Sequence, residues 1–294
     1  MAALEKAKMP TGFDFVFFFD VRDGNPNGDP DQTNLPRVDA ENQEGLVTDV
    51  CIKRKVRNYL QIKYPQAIKY PQQGPYGIFI RQGSVLNTSI EAAKGALLEE
   101  RQDDLCKTYY DIRAFGAVLS TGNKPAGTVR GPVQFTFARS EDRIYQAEHS
   151  VTRCAVTTED DAKKQTEQKQ REHASTFGRK NTVPYALYRM HGFISAVDAG
   201  KTGFSEDDLS LLWEALLHAF EHDRAAARGE MNPRKLVVFK HHSHLGNARS
   251  GELFERVKVT RAPNAAVPPR KFSDYAIEIH RAGLPDGIAI QEKL

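Results

Sequence analysis

The sequence is short of cysteine, has no long apolar run, and contains no internal repeat or low-complexity tract. Its three cysteines, Cys51, Cys106 and Cys154, are widely spaced and none belongs to a CxxC pair. That argues against a zinc ribbon or a disulfide framework and favours a reducing cytoplasm. The longest aromatic run, Phe15 to Phe19, is far too short to span a bilayer. The N-terminus, MAALEKAKMP, lacks the apolar core and small-residue cleavage site of a secretory signal. A surplus of either charge is missing as well, since 41 Lys and Arg against 38 Asp and Glu leave a net +3.

What is present fits a soluble globular protein, with 40% hydrophobic and 27% charged residues. A chain of 294 residues can bury one large core carrying sizeable insertions, and no composition break marks a second domain. The small net charge hides an uneven distribution. Residues 1–48 carry nine acids and four bases, hence −5, whereas residues 224–281 carry twelve bases and five acids, hence +7. Such a chain could bind a polyanion or pack head to tail against copies of itself; two solvated faces that differ would look the same.

Apolar residues from Phe13 to Val21 hardly alternate, which predicts a strand buried on both faces. The stretch DGNPNGDPDQTNLPR then has too much Gly, Pro and Asn for regular structure. Thr48 or Asp49 can cap a helix to about Tyr64, with Ile52, Val56, Tyr59 and Leu60 on one face and Lys53, Arg54 and Arg57 on another. Strands are expected at Tyr76–Arg81, Gly116–Leu119, Val133–Arg139, Tyr185–Val197, Lys235–Phe239 and Tyr275–Ile279, and a helix over Ile90–Tyr110. Ser205 with Asp208 three residues on makes a capping box before the apolar stripe Leu209, Leu212, Trp213, Leu216, Leu217 and Phe220. The mixed-charge residues 159–172 should project as an exposed helix or mobile loop. This order suggests an α+β domain whose sheet has helices on one side.

Several motifs carry chemistry. Asp23, Asn25, Asn27 and Gly28 match the opening of a calcium loop, but Asn34 stands where the closing Glu belongs, so a structured turn is the better reading. His218, Glu221 and His222 follow the order of inverted zinc peptidases without an obvious third ligand. His241, His242 and His244 could hold a metal, supply a ribonuclease's acid and base, or simply be solvated. Lys53 and Arg57, one turn apart, form with Arg54 a basic strip just after a loop able to offer backbone N–H groups to anions. Arg113, Phe115, Gly116 and Val118 partly match the inner strand of RNA-recognition motifs, although Ala117 and Ser120 replace later aromatics that stack bases.

Taken together, FDVRDGNPNGDPD followed by GLVTDVCIKRKVRNYL resembles the opening of the backbone subunit of Cascade, the type I CRISPR complex, subtype C. DIRAFGAV, GPVQFTFARS, YRMHGFISA, TGFSEDDLSLLWEAL, EHDRAAARGEMNPRKLVVFKH and FSDYAIEI continue the resemblance in order over nearly the whole chain. The resemblance implies a single RNA-recognition-motif-like (ferredoxin-like) palm over 1–294, with finger and thumb insertions, the thumb near 150–185. It implies a non-catalytic, cytoplasmic prokaryotic protein that needs no cofactor or metal. Copies would stack head to tail along the guide RNA, leaving bases free to pair with target DNA, beside the guide-processing and large subunits of Cascade and with no membrane contact. Carried onto this chain, the RNA contacts would be Arg22, Asn25, Asn27, Lys53, Arg54 and Arg57 in the palm, and Arg153, Phe177, Arg179 and Lys180 in the thumb. Arg113, Arg139 and Lys240 join them as further candidates. Gripping phosphate and sugar suits a protein that must accept any guide, because those groups carry no sequence information. The competing reading is a ribonuclease or metal-dependent hydrolase that uses the histidines.

Overall fold

A computed structural model describes residue 9, residues 11–160 and residues 176–294, except for the side chains of 176 and 177. The chain opens on β1 (Phe13–Gly24), then a small hairpin of β2 (Gly28–Asp29) and β3 (Leu35–Pro36), β4 (Glu44–Val47) and helix α1 (Asp49–Lys63). An insertion follows, made of α2 (Pro65–Lys69), α3 (Leu86–Glu91), α4 (Leu98–Thr108), α5 (Tyr110–Phe115), β5 (Gly116–Leu119) and β6 (Gly127–Arg130). The chain then lays down β7 (Val133–Phe135), β8 (Ala138–Arg143), β9 (Ala147–Arg153) and the long β10 (Thr176–Ile194). Helices α6 (Ala196–Thr202) and α7 (Glu206–Leu217) lead to β11 (Glu230–His241). Last come α8 (Ser250–Phe254), β12 (Val257–Arg261), β13 (Tyr275–Ile279) and β14 (Ile288–Glu292). Among the described residues no helix is long and apolar enough to cross a membrane.

β1 lies near the middle of a sheet ordered β14-β11-β1-β10-β8-β4, with antiparallel pairing throughout. Phe15 through Phe19 are wholly buried, as a strand covered on both faces must be. Phe13, Phe15, Phe17 and Phe19 share one core with Ile52, Val56 and Leu60 of α1 and Leu209, Leu212 and Leu216 of α7. Val16 and Phe18 face the other way, under Leu253, Phe254, Val257 and Tyr275. The sheet therefore has its long helices on one side and a short helix with the β12–β13 hairpin on the other. The β1–β11 register shifts at Phe18/Phe19, where Phe19 faces Pro233, a residue with no N–H to continue the ladder.

Local caps fall where the sequence places them. Thr48 Oγ accepts from the Cys51 N–H at 3.3 Å, and Ser205 exchanges hydrogen bonds with Asp208 as a capping box. Three expectations need correction. Tyr76–Arg81 is not a strand, because the N–H groups of Phe79 and Ile80 donate to the Asp111 carboxylate (2.8 and 3.0 Å) rather than to a neighbouring strand. The helix expected over Ile90–Tyr110 breaks into α3 and α4, with Gly95 at φ 127° between them. Arg113 to Phe115, read as part of an inner strand, belongs to the fully buried helix α5. Its Ile112 joins Phe79, Ile90 and Leu105 in a satellite core, while Tyr110, Ala114 and Phe115 pack into the main one. Of the mixed-charge residues 159–172, those from 161 onward lie outside the described residues.

Two features of β10 yield predictions. Gly192 sits directly across from Phe15, whose ring covers it so closely that an added Cβ would fall 2.0 Å from Phe15 Cζ. Gly192→Ala is therefore expected to cost about 1–3 kcal/mol by overpacking, read as a Tm drop of several degrees. His191 stacks on Phe254 at 4.1 Å, and Arg189 Nε–H donates to its Nε2 at 2.9 Å. Burial, with help from the Arg189 cation, pushes the imidazole down to about 4 from 6.5. The unfolded chain takes up this proton first as the pH drops, so stability is lost from about pH 6.5 toward 4 and is fully present above that window. NMR titration should find His191 neutral at pH 5, and His191→Gln should flatten the dependence of Tm on pH there.

Candidate nucleic-acid interface

The turn-rich loop after β1 is anchored at both of its ends. Asn27 Oδ1 accepts from the Thr48 N–H and Oγ, both at 2.9 Å, which ties the loop to the N-cap of α1. Asn181 Nδ2 on β10 donates to the Thr33 carbonyl at 3.4 Å, which ties it to the β9–β10 hairpin. Asn25 is buried, donates to the Asn34 carbonyl at 2.6 Å, and its own Oδ1 has no partner among the described residues. The loop is thus a structured turn, in which Asn25 and Asn27 are spent on holding backbone. Loop, first turn of α1 and hairpin base, far apart in sequence, meet in one place.

The basic strip on α1 is not the exposed ridge that its spacing suggests. Arg57 is buried against the insertion, its Nε–H donating to Asp111 Oδ2 at 2.8 Å. Lys53 is nearly buried, pairs with Asp49 at 3.0 Å and lies over the Phe115 and Phe135 rings. Only Arg54 of the three is exposed, with Nη2 on Gln82 Oε1 at 3.2 Å. The physical reason is that α5 covers this side of α1 and brings Asp111 with it. Arg113 is more deeply committed, 1% exposed and bidentate to Asp208 at 2.7 and 2.9 Å, so it has no path to a ligand.

The hairpin candidates stay outside. β9 is almost wholly exposed, with Arg179 at 3.2 Å from Glu148 across it and Lys180 half-buried beside it. Exposed Arg153 hydrogen-bonds Ala155 O and Thr157 Oγ, while the side chain of Phe177 lies outside the described residues. Arg22 ends β1, 3.5 Å from Glu230, and donates to the Arg270 carbonyl at 3.2 Å. Arg139 is exposed but pinned by Asp39 at 2.7 Å and Glu44 at 3.3 Å; its hydrogen bond, with that of the Glu41 N–H, holds the Asp39 carboxyl below its usual range. Lys240 pairs with Phe13 at the far end of β1, about 35 Å of strand from the loop, and does not join the cluster.

The histidines form no common site. α7 ends at Leu217, so His218 and His222 do not share a helix face; His218 Nδ1 faces Glu221 at 3.0 Å and its ring stacks on Tyr59. His241 turns inward, with Nε2 on Asp14 at 2.9 Å and Nδ1 accepting the Asn247 N–H, while His242 and His244 stay exposed. Among the described residues no group of three or more His, Cys, Asp or Glu could hold a metal ion. Sequence reasoning missed Lys55, buried in an ion pair with Asp223, and the only signal for it is a lysine interrupting the buried side of α1.

A family model for CRISPR-associated protein Cas7 matches residues 12–280. A CRISPR-associated protein Cas7 of Haloferax volcanii is 23% identical over 234 residues, 69% of this chain. The chain thus spans 63% of that relative's length. Similar solved structures include chains of a CRISPR RNA-guided surveillance complex, at TM-score 0.46 and 15% identity over 78% of this chain and 69% of the other. A pre-nicking surveillance complex gives TM-score 0.49 and 14% identity over 78% of each chain. A type III-B Cmr-beta complex bound to cognate target RNA gives 0.41 and 11% over 78% and 61%.

The geometry divides the candidate arginines by what their loss would do. Arg113→Ala leaves the Asp208 carboxylate buried and unpaired, at an expected cost of about 3–5 kcal/mol. Arg54→Ala, on an exposed helix face, should stay within about 0.5 kcal/mol of the parent. Thermal unfolding followed by circular dichroism measures both, and an Arg113→Ala protein as stable as the parent would contradict this account of α5 docking.

Proposed function

The chain belongs to the Cas7 family of CRISPR-associated proteins, and from that premise we propose that it is the guide-RNA-binding backbone subunit of a type I-C surveillance complex. The observation that carries the reading is the meeting of the loop, the α1 N-terminus and the base of the β9–β10 hairpin; Arg22, Arg54, Arg179 and Lys180 lie on or next to these elements, and Arg153 lies farther out along the hairpin. Point charges and guanidinium forks on an irregular, backbone-rich surface suit phosphate and ribose.

The strand order supports a ferredoxin-like palm. β1, α1, β7–β8, β10, α7 and β11 follow one another as β-α-β-β-α-β, and β11-β1-β10-β8 is the corresponding arrangement in the sheet. In an RNA-recognition motif the face away from the helices stacks bases. Here Val16 and Phe18 on that face are covered by α8 and the β12–β13 hairpin. A subunit so built grips the guide by its backbone and leaves bases to pair with target DNA. The β9–β10 hairpin supports the thumb assignment, and the insertion of 65–130 that of a finger. Copies would then stack along the guide beside the other Cascade subunits, with no chemistry of their own.

The test is expression with the neighbouring subunits and a CRISPR array, followed by sequencing of whatever RNA co-purifies. Guide RNA of uniform length is expected in a large complex. Arg54→Glu with Arg179→Glu and Lys180→Glu should lower RNA occupancy at least about tenfold, uniformly across guide sequences, and should flatten its salt dependence. A nucleic-acid-free monomer would overturn the reading.

A further inference from the structure

Two concavities lie on the sheet face opposite α1, and their charge tells them apart. The larger, about 880 Å³, runs between β8, β10 and β12. Glu44, Glu141 and Glu255 line it against Arg139, Arg189 and Lys258, so its walls are neutral in sum and offer a polyanion nothing. The smaller, about 340 Å³, lies where the chain leaves β8 for the β9–β10 hairpin, and the Pro268–Arg270 segment closes it. Its one acid, Asp142, is already spent, with Oδ1 on Arg261 at 2.6 Å and Oδ2 on the Tyr275 hydroxyl at 2.5 Å. Two exposed guanidinium groups remain on its rim, Arg143 and Arg270, and neither has a carboxylate partner among the described residues.

We propose that this pocket is a nucleotide subsite for single-stranded nucleic acid, with an unstacked base against Tyr145 and its phosphate between Arg143 and Arg270. Three observations carry the assignment. The Tyr145 ring is 71% exposed and has no aromatic or cationic neighbour among the described residues, which leaves a π-face open at the pocket rim. Pro184, Ala186, Pro268 and Pro269, with the rings of Tyr185 and Tyr275, give the remaining wall apolar surface for a base to rest against. The pocket is also fastened to the interface already described. Gln146 Nε2 donates to the Pro36 carbonyl at 2.6 Å, and Arg22 at the end of β1 donates to the Arg270 carbonyl at 3.2 Å. These two contacts fix the pocket's position relative to the loop and to the end of β1.

The volume sets the stoichiometry. About 340 Å³ is at the small end for ligand pockets and suits one nucleotide. Among the described residues no Asn or Gln lines it, and with Arg143 and Arg270 engaged by phosphate no side chain is left to read a base edge, so bases should be accepted with little sequence preference. The assignment rests on the nucleic-acid-binding reading, and the test separates the two.

The full-length protein is titrated with labelled oligouridylate and oligothymidylate, and 5-iodouridine RNA is crosslinked by light and mapped by mass spectrometry. Crosslinking at Tyr145 is expected, with affinity lost at least about fivefold in Tyr145→Ala and retained in Tyr145→Phe. Arg143→Glu with Arg270→Glu should weaken binding and lower the salt slope. Each of these side chains is exposed, so the variants should unfold at the parent's Tm. Oligonucleotide binding that Tyr145→Ala leaves unchanged, with crosslinks only elsewhere, would overturn the pocket assignment and leave the interface reading intact. A parent protein that binds neither oligonucleotide would overturn both.

Discussion

A strand with phenylalanine at positions 13, 15, 17, 18 and 19 needs apolar cover on both faces, and much of the fold is what supplies it. On one side α1 and α7 provide aliphatic stripes; on the other, α8 and the β12–β13 hairpin close over Val16 and Phe18. Each phenylalanine removes some 150–250 Å² of apolar surface from water, so exposing either face would forfeit several kcal/mol. The consequence reaches function directly. With both faces covered along most of β1, a polyanion is left the sheet's ends and edges and the small concavity beside Tyr185, and near them the chain places the loop of 25–36, the start of α1 and the exposed hairpin.

The insertion is held by a different force. Arg57 to Asp111 and Arg113 to Asp208 join it to α1 and α7 through buried, hydrogen-bonded ion pairs. Desolvating two charges offsets most of what their attraction returns, so such pairs add little net stability compared with apolar residues of the same shape. What they add is register. Asp111 also accepts two backbone N–H groups from 79–80, and Asp208 also caps α7. Each carboxylate therefore fixes one place where the insertion can sit, which a smooth apolar contact would not.

Legibility in the sequence followed the range of the interaction. β1 was readable because burial on both faces removes alternation, and the caps at Thr48 and Ser205 because they close within three residues. Arg57 and Arg113 were misplaced because their partners lie 54 and 95 residues away, and helical spacing cannot tell a solvated arginine from a paired one. The break at Gly95 was visible as a glycine but not as a turn, since only the φ of 127° shows that the chain leaves the helix there. Arg143 and Tyr145 gave a signal that was open to reading, a base and an aromatic two residues apart. Their concavity is completed by Pro268–Arg270, which no local pattern announces.

Charge shows most clearly how folding rearranges what the sequence orders. The acidic start and basic finish look like the two poles of a head-to-tail filament. In the fold β1 lies beside β11, so those poles meet within one chain: Asp14 faces His241 at 2.9 Å and Asp20 faces Arg234 at 2.8 Å. Asp39 and Glu44 are likewise drawn to Arg139. Polarity along the sequence is therefore not polarity in space, and it gives no independent support for stacking between copies. The same cancellation sharpens the case for a polyanion. With Asp14, Asp20 and Asp29 engaged internally, cations that lack a carboxylate partner among the described residues stand out by position, and Arg143 and Arg270 are two of them, tied to the loop and to the end of β1 through Gln146 and Arg22.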